Sequence, residues 1–228
     1  AVFIVFFIGI VLTAFRYFKF VSKTVYEESA SHLTEVFHQS NNVLNELADK
    51  NLTYLHMWGE YLKKVSDESE IRDYIDKAQE EAGFLYFYFL SADGNYKMLT
   101  GEAGYLGLQE NLEDKITLGE DIITYAVVPG KQQMLVFASP QSHGSYQGFE
   151  YDAIAIAYEN ADIVDVLDIS AFNGNAKSYV VHPDGRVVID HSFEAWGNVY
   201  NFFGVLREHS DMSEKEILEL SEKFKERR

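Results

Sequence analysis

Residues 1–15, Ala1 to Phe15, carry no charge, and the basic Arg16, Lys19 and Lys23 follow at once. As a helix, this run has a definite reach. At about 1.5 Å per residue, fifteen residues span roughly 23 Å, short of the ~30 Å hydrocarbon core of a bilayer. Counting on to Phe20, with Arg16 and Lys19 reaching back to the interface along their apolar stems, brings the length to about 30 Å. A cleavable signal peptide is the competing reading. No small-x-small cleavage site follows, because Arg16-Tyr17-Phe18-Lys19-Phe20 is bulky and basic. The pattern therefore predicts an uncleaved transmembrane anchor over 1–20. Taken alone, the three basic residues favour a cytoplasmic C-terminal side.

From Tyr26 the chain turns acidic. Residues 1–20 hold two of the 19 basic residues and none of the 36 acidic ones, which leaves the remainder at −19. A charge of that sign repels phosphate backbones and excludes nucleic acid as a partner. It also holds the soluble part off anionic lipid, so membrane contact falls to the apolar run. With 47% apolar and 15% aromatic residues the chain folds, and some 200 residues suffice for one large domain or two small ones. The absence of cysteine excludes thiol catalysis, disulfides and thiolate metal sites, and suits an extracytoplasmic location.

Between Val21 and Lys64 there is no proline and Gly59 is the only glycine, so the spacing predicts a long stalk helix over 21–64. Leu33, Phe37, Ser40, Leu44, Leu47, Asn51, Tyr54, Trp58 and Tyr61 follow alternating steps of four and three. That seam serves either a helix packed on its own domain or the stalk of a homodimer, and the two can hold for different parts of it. Asp67-Glu68-Ser69-Glu70 has capping-box spacing and opens a second helix that Gly83 ends. Phe84–Leu90 then reads as a central strand, apolar on both faces. Ala92-Asp93-Gly94-Asn95 turns it into Tyr96–Leu99, and a glycine-rich stretch leads to an irregular segment ending near Gly119. Three more strands read as Ile122–Val128, Gln133–Ser139 and Tyr151–Tyr158, with a polar loop, Gln141 to Gly148, between the last two. A short helix is expected over Ala161–Ile169.

The order then restarts. Lys177–Val181 leads into His182-Pro183-Asp184-Gly185, and Arg186–Asp190 returns; the two Asp-Gly turns lie 91 residues apart. Helix, strand, hairpin, strand and irregular segment recur, the signature of an internal repeat. The second copy lacks closing strands and ends in a helix opened by the capping box Ser213-Glu214-Lys215-Glu216. Two strands are marginal alone, so either the chain continues past Arg228 or this remnant leans on the first copy.

A membrane anchor, a long helix and tandem modules built round Asp-Gly hairpins resemble the double Cache (PAS-like) extracellular sensor region of bacterial receptors. The run Ser178-Tyr179-Val180-Val181-His182-Pro183-Asp184-Gly185-Arg186, after Tyr151–Tyr158 and a helix, is similar to the junction between the membrane-distal and membrane-proximal modules. The resemblance covers nearly the whole chain and rests on structural turns. It implies an α+β fold: an N-terminal membrane helix and stalk, a five-stranded antiparallel PAS-like module over 65–160, and an incomplete second module over 161–228. It implies an extracytoplasmic ligand sensor of a membrane-anchored receptor, ahead of a histidine kinase, diguanylate cyclase or chemoreceptor output, and it places the long helix outside the cell. The alternative is a secreted or anchored adhesion or interaction domain without output.

No catalytic, phosphate-binding or zinc signature occurs, so no catalysis and no cofactor are expected of this chain. His182, Asp184, Asp190 and His191 suggest a metal cluster at first sight. The turn accounts for Asp184, and a two-residue hairpin sets His191 opposite Ser178, away from His182, so no metal is expected. By the resemblance, a ligand pocket lies between the sheet and Gly101–Gly119. Tyr86, Tyr88, Tyr105, Tyr125, Phe137 and Asp152 are its candidate lining, aromatic walls with a few polar handles. No arginine occurs between Arg72 and Arg186. Carboxylate ligands favour a guanidinium fork, so the expected small molecule is not a carboxylate.

Overall fold

The computed structural model describes residues 2–65, 67–108, 112–127, 133–159, 162–163, 179–181, 184–185, 187–190 and 201–226, without the side chains of 2–14, 127, 133, 179 and 188–190. Helix α1 (Val2–Leu62) runs 61 residues without a break. At 1.5 Å per residue it is roughly 90 Å long. The expected seam divides along it. Leu33 and Phe37 stay 47% and 61% exposed, whereas Trp58 is 2% and Asn51 0% exposed. Leu44, Leu47 and Tyr54 pack half-buried against the same core as Trp58. The carboxyl-terminal half of the seam therefore serves the protein's own domain. Among the described residues no helix is long and apolar enough to cross a membrane. The expected anchor rests on side chains 1–14, which lie outside them.

Helix α2 (Glu68–Ala82) starts where Asp67 accepts bonds from the Ser69 and Glu70 amides and stops at Gly83, whose φ of 76° is left-handed. Only half of the expected capping box forms. The Glu70 carboxylate accepts the Tyr61 hydroxyl at 3.0 Å instead, and Tyr61 stacks on Tyr74 at 3.9 Å between ring centres, tying α2 to α1.

The sheet contains β1 (Tyr86–Leu90), β2 (Asn95–Met98), β3 (Ala103–Tyr105), β4 (Ile122–Val127), β5 (Gln133–Tyr146) and β6 (Phe149–Glu159), with α3 (Leu112–Leu118) before β4. Its order is β3-β2-β1-β6-β5-β4, every pair antiparallel. Six strands replace the expected five. The glycine-rich stretch supplies the extra edge strand because Gly104, opposite Tyr96, has no Cβ; one there would sit 2.9 Å from the Tyr96 hydroxyl. The expected loop 141–148 is also corrected. β5 continues through it past an irregularity between Pro140 and Gly144, and the turn is only Gln147–Gly148. Both turn residues have positive φ, 48° and 73°, as a tight hairpin of this hand requires.

One sheet face packs on α1 and α2 through Leu55, Trp58, Ile75, Phe89, Phe137 and Ile156. Within this apolar layer the Tyr146 hydroxyl donates to the Leu99 carbonyl at 3.4 Å, and a second polar contact joins β6 to α1. The Tyr158 hydroxyl donates to Asn51 Oδ1 at 2.8 Å, and burial pushes that phenol up to about 12, the Asn51 bond pulling the other way. The Asn51 amide nitrogen is buried without a partner, a defect that costs about 1–3 kcal/mol. Gly59 of α1 admits the Gln141 side chain: a Cβ there would meet Gln141 Oε1 at 2.1 Å.

Further along, β7 (Tyr179–Val181) and β8 (Val187–Asp190) form the second antiparallel hairpin, followed by α4 (Phe202–His209) and α5 (Glu214–Glu226). The two Asp-Gly turns share their geometry. Gly94 and Gly185 have φ of 85° and 90°. Their carbonyls accept the amides of Leu106 at 2.9 Å and Phe202 at 2.7 Å. An aromatic ring closes over each, Tyr105 on Gly94 and Phe203 on Gly185. The second capping box is complete, with Glu216 accepting the Ser213 amide at 2.8 Å and Ser213 Oγ accepting the Glu216 amide at 3.4 Å. Most of the helix expected over 161–169 lies outside the described residues, as do His182 and His191.

Candidate ligand site

Alternation along β1 sends Tyr86, Tyr88 and Leu90 to the sheet face away from α1, and Phe87 and Phe89 toward it. The same alternation in β6 gives Ala153, Ala155 and Ala157 to the far face and Ile154, Ile156 and Tyr158 to the helices. In register, Tyr88 lies beside Ala155, and Ala155 beside Ala138 of β5. With Ala126 of β4, five methyl groups floor the far face. All five alanines are 0% exposed, so the face is closed over by packed side chains, and a ligand would enter only by displacing part of that cover. Small floor residues are where such displacement leaves an apolar, concave site.

Tyrosines border this floor. Tyr86 and Tyr88 have ring centres 5.9 Å apart, and Tyr88 meets Tyr96 edge-on at 5.0 Å. Leu106, Leu108, Leu112 and Ile116 cover the face from the segment that ends in α3. The Tyr88 hydroxyl is buried and its single partner among the described residues is Met134 Sδ, at 3.9 Å. Burial pushes that phenol well above its usual range, so it stays a neutral donor. Thr124, 5% exposed, adds a hydroxyl on the same face, since it pairs with Val136.

The six residues picked from sequence are not brought together. Tyr86 and Tyr88 belong to the floored face. Phe137 lies in the helix-facing core, its ring 6.0 Å from that of Tyr158, and Tyr125 pairs with Leu135 on that same side. Strand parity puts a sheet between these two pairs. Tyr105 is 62% exposed on the edge strand. Asp152 sits at the far end of the sheet, accepting the Ala92 amide at 3.0 Å and bonding His143 at 3.1 Å. It lines an open cleft of about 760 Å³ with Ser91, Asp93, Asn95 and Glu150. There the Asp152 hydrogen bond raises the His143 imidazole, assisted by Glu150 and opposed by partial desolvation, while Ser91 holds Asp93 below the usual carboxylate range. Tyr96, Thr124 and the alanines were missed. The Ala-Ile-Ala-Ile-Ala alternation at 153–157 was the available signal. Among the described residues no group of three or more histidine or acidic side chains is arranged to hold a metal.

No protein-family model and no curated relative matches the sequence. Among solved structures, the sensory domain of the Campylobacter jejuni chemoreceptor Tlp3 with isoleucine bound matches with a TM-score of 0.51 at 7% identity, over 83% of this chain and 82% of that one. The same receptor's ligand-binding domain with L-norvaline gives 0.52 at 8% identity, over 82% and 80%. The ligand-binding domain of the Pseudomonas aeruginosa amino-acid chemoreceptor PctB with L-Gln gives 0.50 at 18% identity, over 72% and 68%. At these identities the likeness is one of fold. The fold is like that of these bacterial chemoreceptor sensory domains, in keeping with the double Cache resemblance of the sequence.

Proposed function

We propose that this chain is the extracytoplasmic sensing region of a membrane-anchored bacterial signal-transduction receptor, without catalysis of its own. In this reading residues 1–20 anchor it, 21–64 form the stalk, 65–160 the ligand-binding module and 161–228 part of a second one. The output is a histidine kinase, a diguanylate cyclase or a chemoreceptor signalling domain. The exposed stretch of α1 carrying Leu33 and Phe37 is the surface for a homodimer.

The observation that carries the reading is the alanine-floored sheet face, bordered by Tyr86, Tyr88 and Tyr96 and roofed by the segment ending in α3. A ligand seated there meets neutral hydroxyl donors and apolar walls. The missing arginine argues against a carboxylate. The comparisons do not support that exclusion, since the neighbours were solved with isoleucine, L-norvaline and L-Gln. The class is settled by thermal shift of the full chain in detergent against α-amino acids, organic acids, sugars and amines. At 100 times its dissociation constant a ligand stabilises the fold by about 2.7 kcal/mol. For a chain of this size that raises Tm by roughly 5–10 °C. A shift abolished by Tyr88→Phe or Ala155→Leu locates the site on this face. No shift with any class, or one indifferent to both changes, refutes it.

A further inference from the structure

Tyr158 has one hydroxyl proton and two acceptors around it, Asn51 Oδ1 at 2.8 Å and the Ala82 carbonyl at 3.4 Å. Asn51 belongs to α1, Ala82 ends α2 and Tyr158 belongs to β6. The Asn51 side chain is 0% exposed and its nitrogen has no partner. Turning the amide over only exchanges which of its atoms is orphaned, because one hydroxyl cannot satisfy both. The Tyr158 hydroxyl thus joins three elements inside an apolar layer, with a donor left over on α1 and an acceptor weakly held on α2. Moving the Tyr158 proton from Asn51 to Ala82 gives a second arrangement of the same groups.

We propose that Asn51, Tyr158 and the Ala82 carbonyl are the contact through which occupancy of the alanine-floored face is read by α1. This rests on the sensing function proposed above. Ala157, the residue before Tyr158, belongs to that floor, and its carbonyl also accepts the Leu85 amide at 2.9 Å, at the link from α2 to β1. Pressure on the floor therefore moves the Tyr158 hydroxyl and the end of α2 relative to α1. Because α1 is one uninterrupted helix, a displacement at Asn51 reaches Phe15, roughly 54 Å away, without a joint to absorb it.

The chain has no cysteine, so Asp49→Cys on α1 and Ser145→Cys on the β5–β6 hairpin give two unambiguous spin-label sites in the full chain. Ala155→Val serves as a fixed occupant of the floor. In the otherwise native protein it is expected to shift the mean label distance by about 1–2 Å, the scale of helix displacements in switching proteins. The shift is expected to vanish in Asn51→Leu/Tyr158→Phe, which removes both polar groups and keeps the bulk. An equal shift in both backgrounds, or none in the native one, overturns the proposal. Should Ala155→Val not fold, Ala153→Val makes the same comparison. Tyr158→Phe alone must also redistribute the distances on an unmodified floor, and identical distributions overturn the proposal whatever the alanine variants do. No ligand enters the experiment. A negative ligand screen therefore removes the sensing function while leaving the mechanics measurable, and an unmoved α1 beside a positive screen removes the coupling alone.

Discussion

Trp58→Ala and Phe37→Ala, two aromatic truncations on one seam of one helix, should behave as if they came from different proteins. Trp58 is 2% exposed, with ring centres 5.4 Å from Phe84, 6.1 Å from Phe87 and 5.6 Å from Tyr54, stacked in the last case. Removing a buried tryptophan costs about 3–5 kcal/mol. At roughly 2–4 °C per kcal/mol for a chain of this size, Tm should fall by about 6–20 °C. Phe37 is 61% exposed, and its one ring contact among the described residues is with the adjacent His38. Surface changes of that kind stay within about 0.5 kcal/mol, or roughly 2 °C. Melting by circular dichroism in detergent measures both, and sedimentation of the same samples measures association, which only Phe37→Ala should weaken. The division of the seam is wrong if Phe37→Ala costs as much as Trp58→Ala. It is equally wrong if Trp58→Ala costs less than about 1 kcal/mol.

Two glycines with equally close neighbours should part in the same way. The three atoms nearest a Cβ on Gly59 all belong to the flexible end of Gln141, and Gly59→Ala gains helix propensity of about 1 kcal/mol, so its urea midpoint should stay near the native one or rise. A Cβ on Gly144 meets Tyr151 Cζ at 2.3 Å, a ring packed on Phe89, and Gly144→Ala should lose about 1–3 kcal/mol; the reverse order would contradict the packing described. His143, raised chiefly by its bond to Asp152, contributes stability that is full below its ordinary value of about 6.5 and lost as pH rises through its folded value. The stability gap between native protein and His143→Gln should therefore be wider at pH 5.5 than at pH 8.5, and an equal gap would remove the ion pair from the account.

Much of this fold could be read from residues that act locally. Asp67 and Gly83 bracket α2 and Ser213 and Glu216 open α5, each through a bond to a near neighbour in sequence, and the Asp-Gly pairs mark both hairpins through the positive φ of their glycines. The misreadings arose where distant partners decide. Gly101–Gly107 looked irregular because nothing local shows that Gly104 will pair with Tyr96 as an edge strand. Gln141–Gly148 looked like a loop because Ser142, His143, Ser145 and Gln147 are exposed on an extended hairpin. The site suffered most. Aromatic character selected Tyr86, Tyr88, Tyr125 and Phe137 together, but which face a strand residue occupies depends on its register with the neighbouring strand. Counting parity from the alanines of 153–157 across β5 would have separated them.

The alternation in β6 also constrains how this sequence can change over evolutionary time. One residue inserted between Ala153 and Tyr158 would turn every following side chain over. Isoleucines would crowd the packed layer beneath Leu106, and bare methyls would face Trp58 and Asn51. A single frame-preserving codon would thus empty one layer and choke the other, however conservative its chemistry. Length can drift instead at the Gln147–Gly148 tip, beyond the irregularity between Pro140 and Gly144 where strict pairing has already been relaxed. Natural variants of this chain should accordingly differ in hairpin length while keeping the span from Ala153 to Tyr158 fixed, and libraries for altering ligand preference should substitute within that span and insert only outside it.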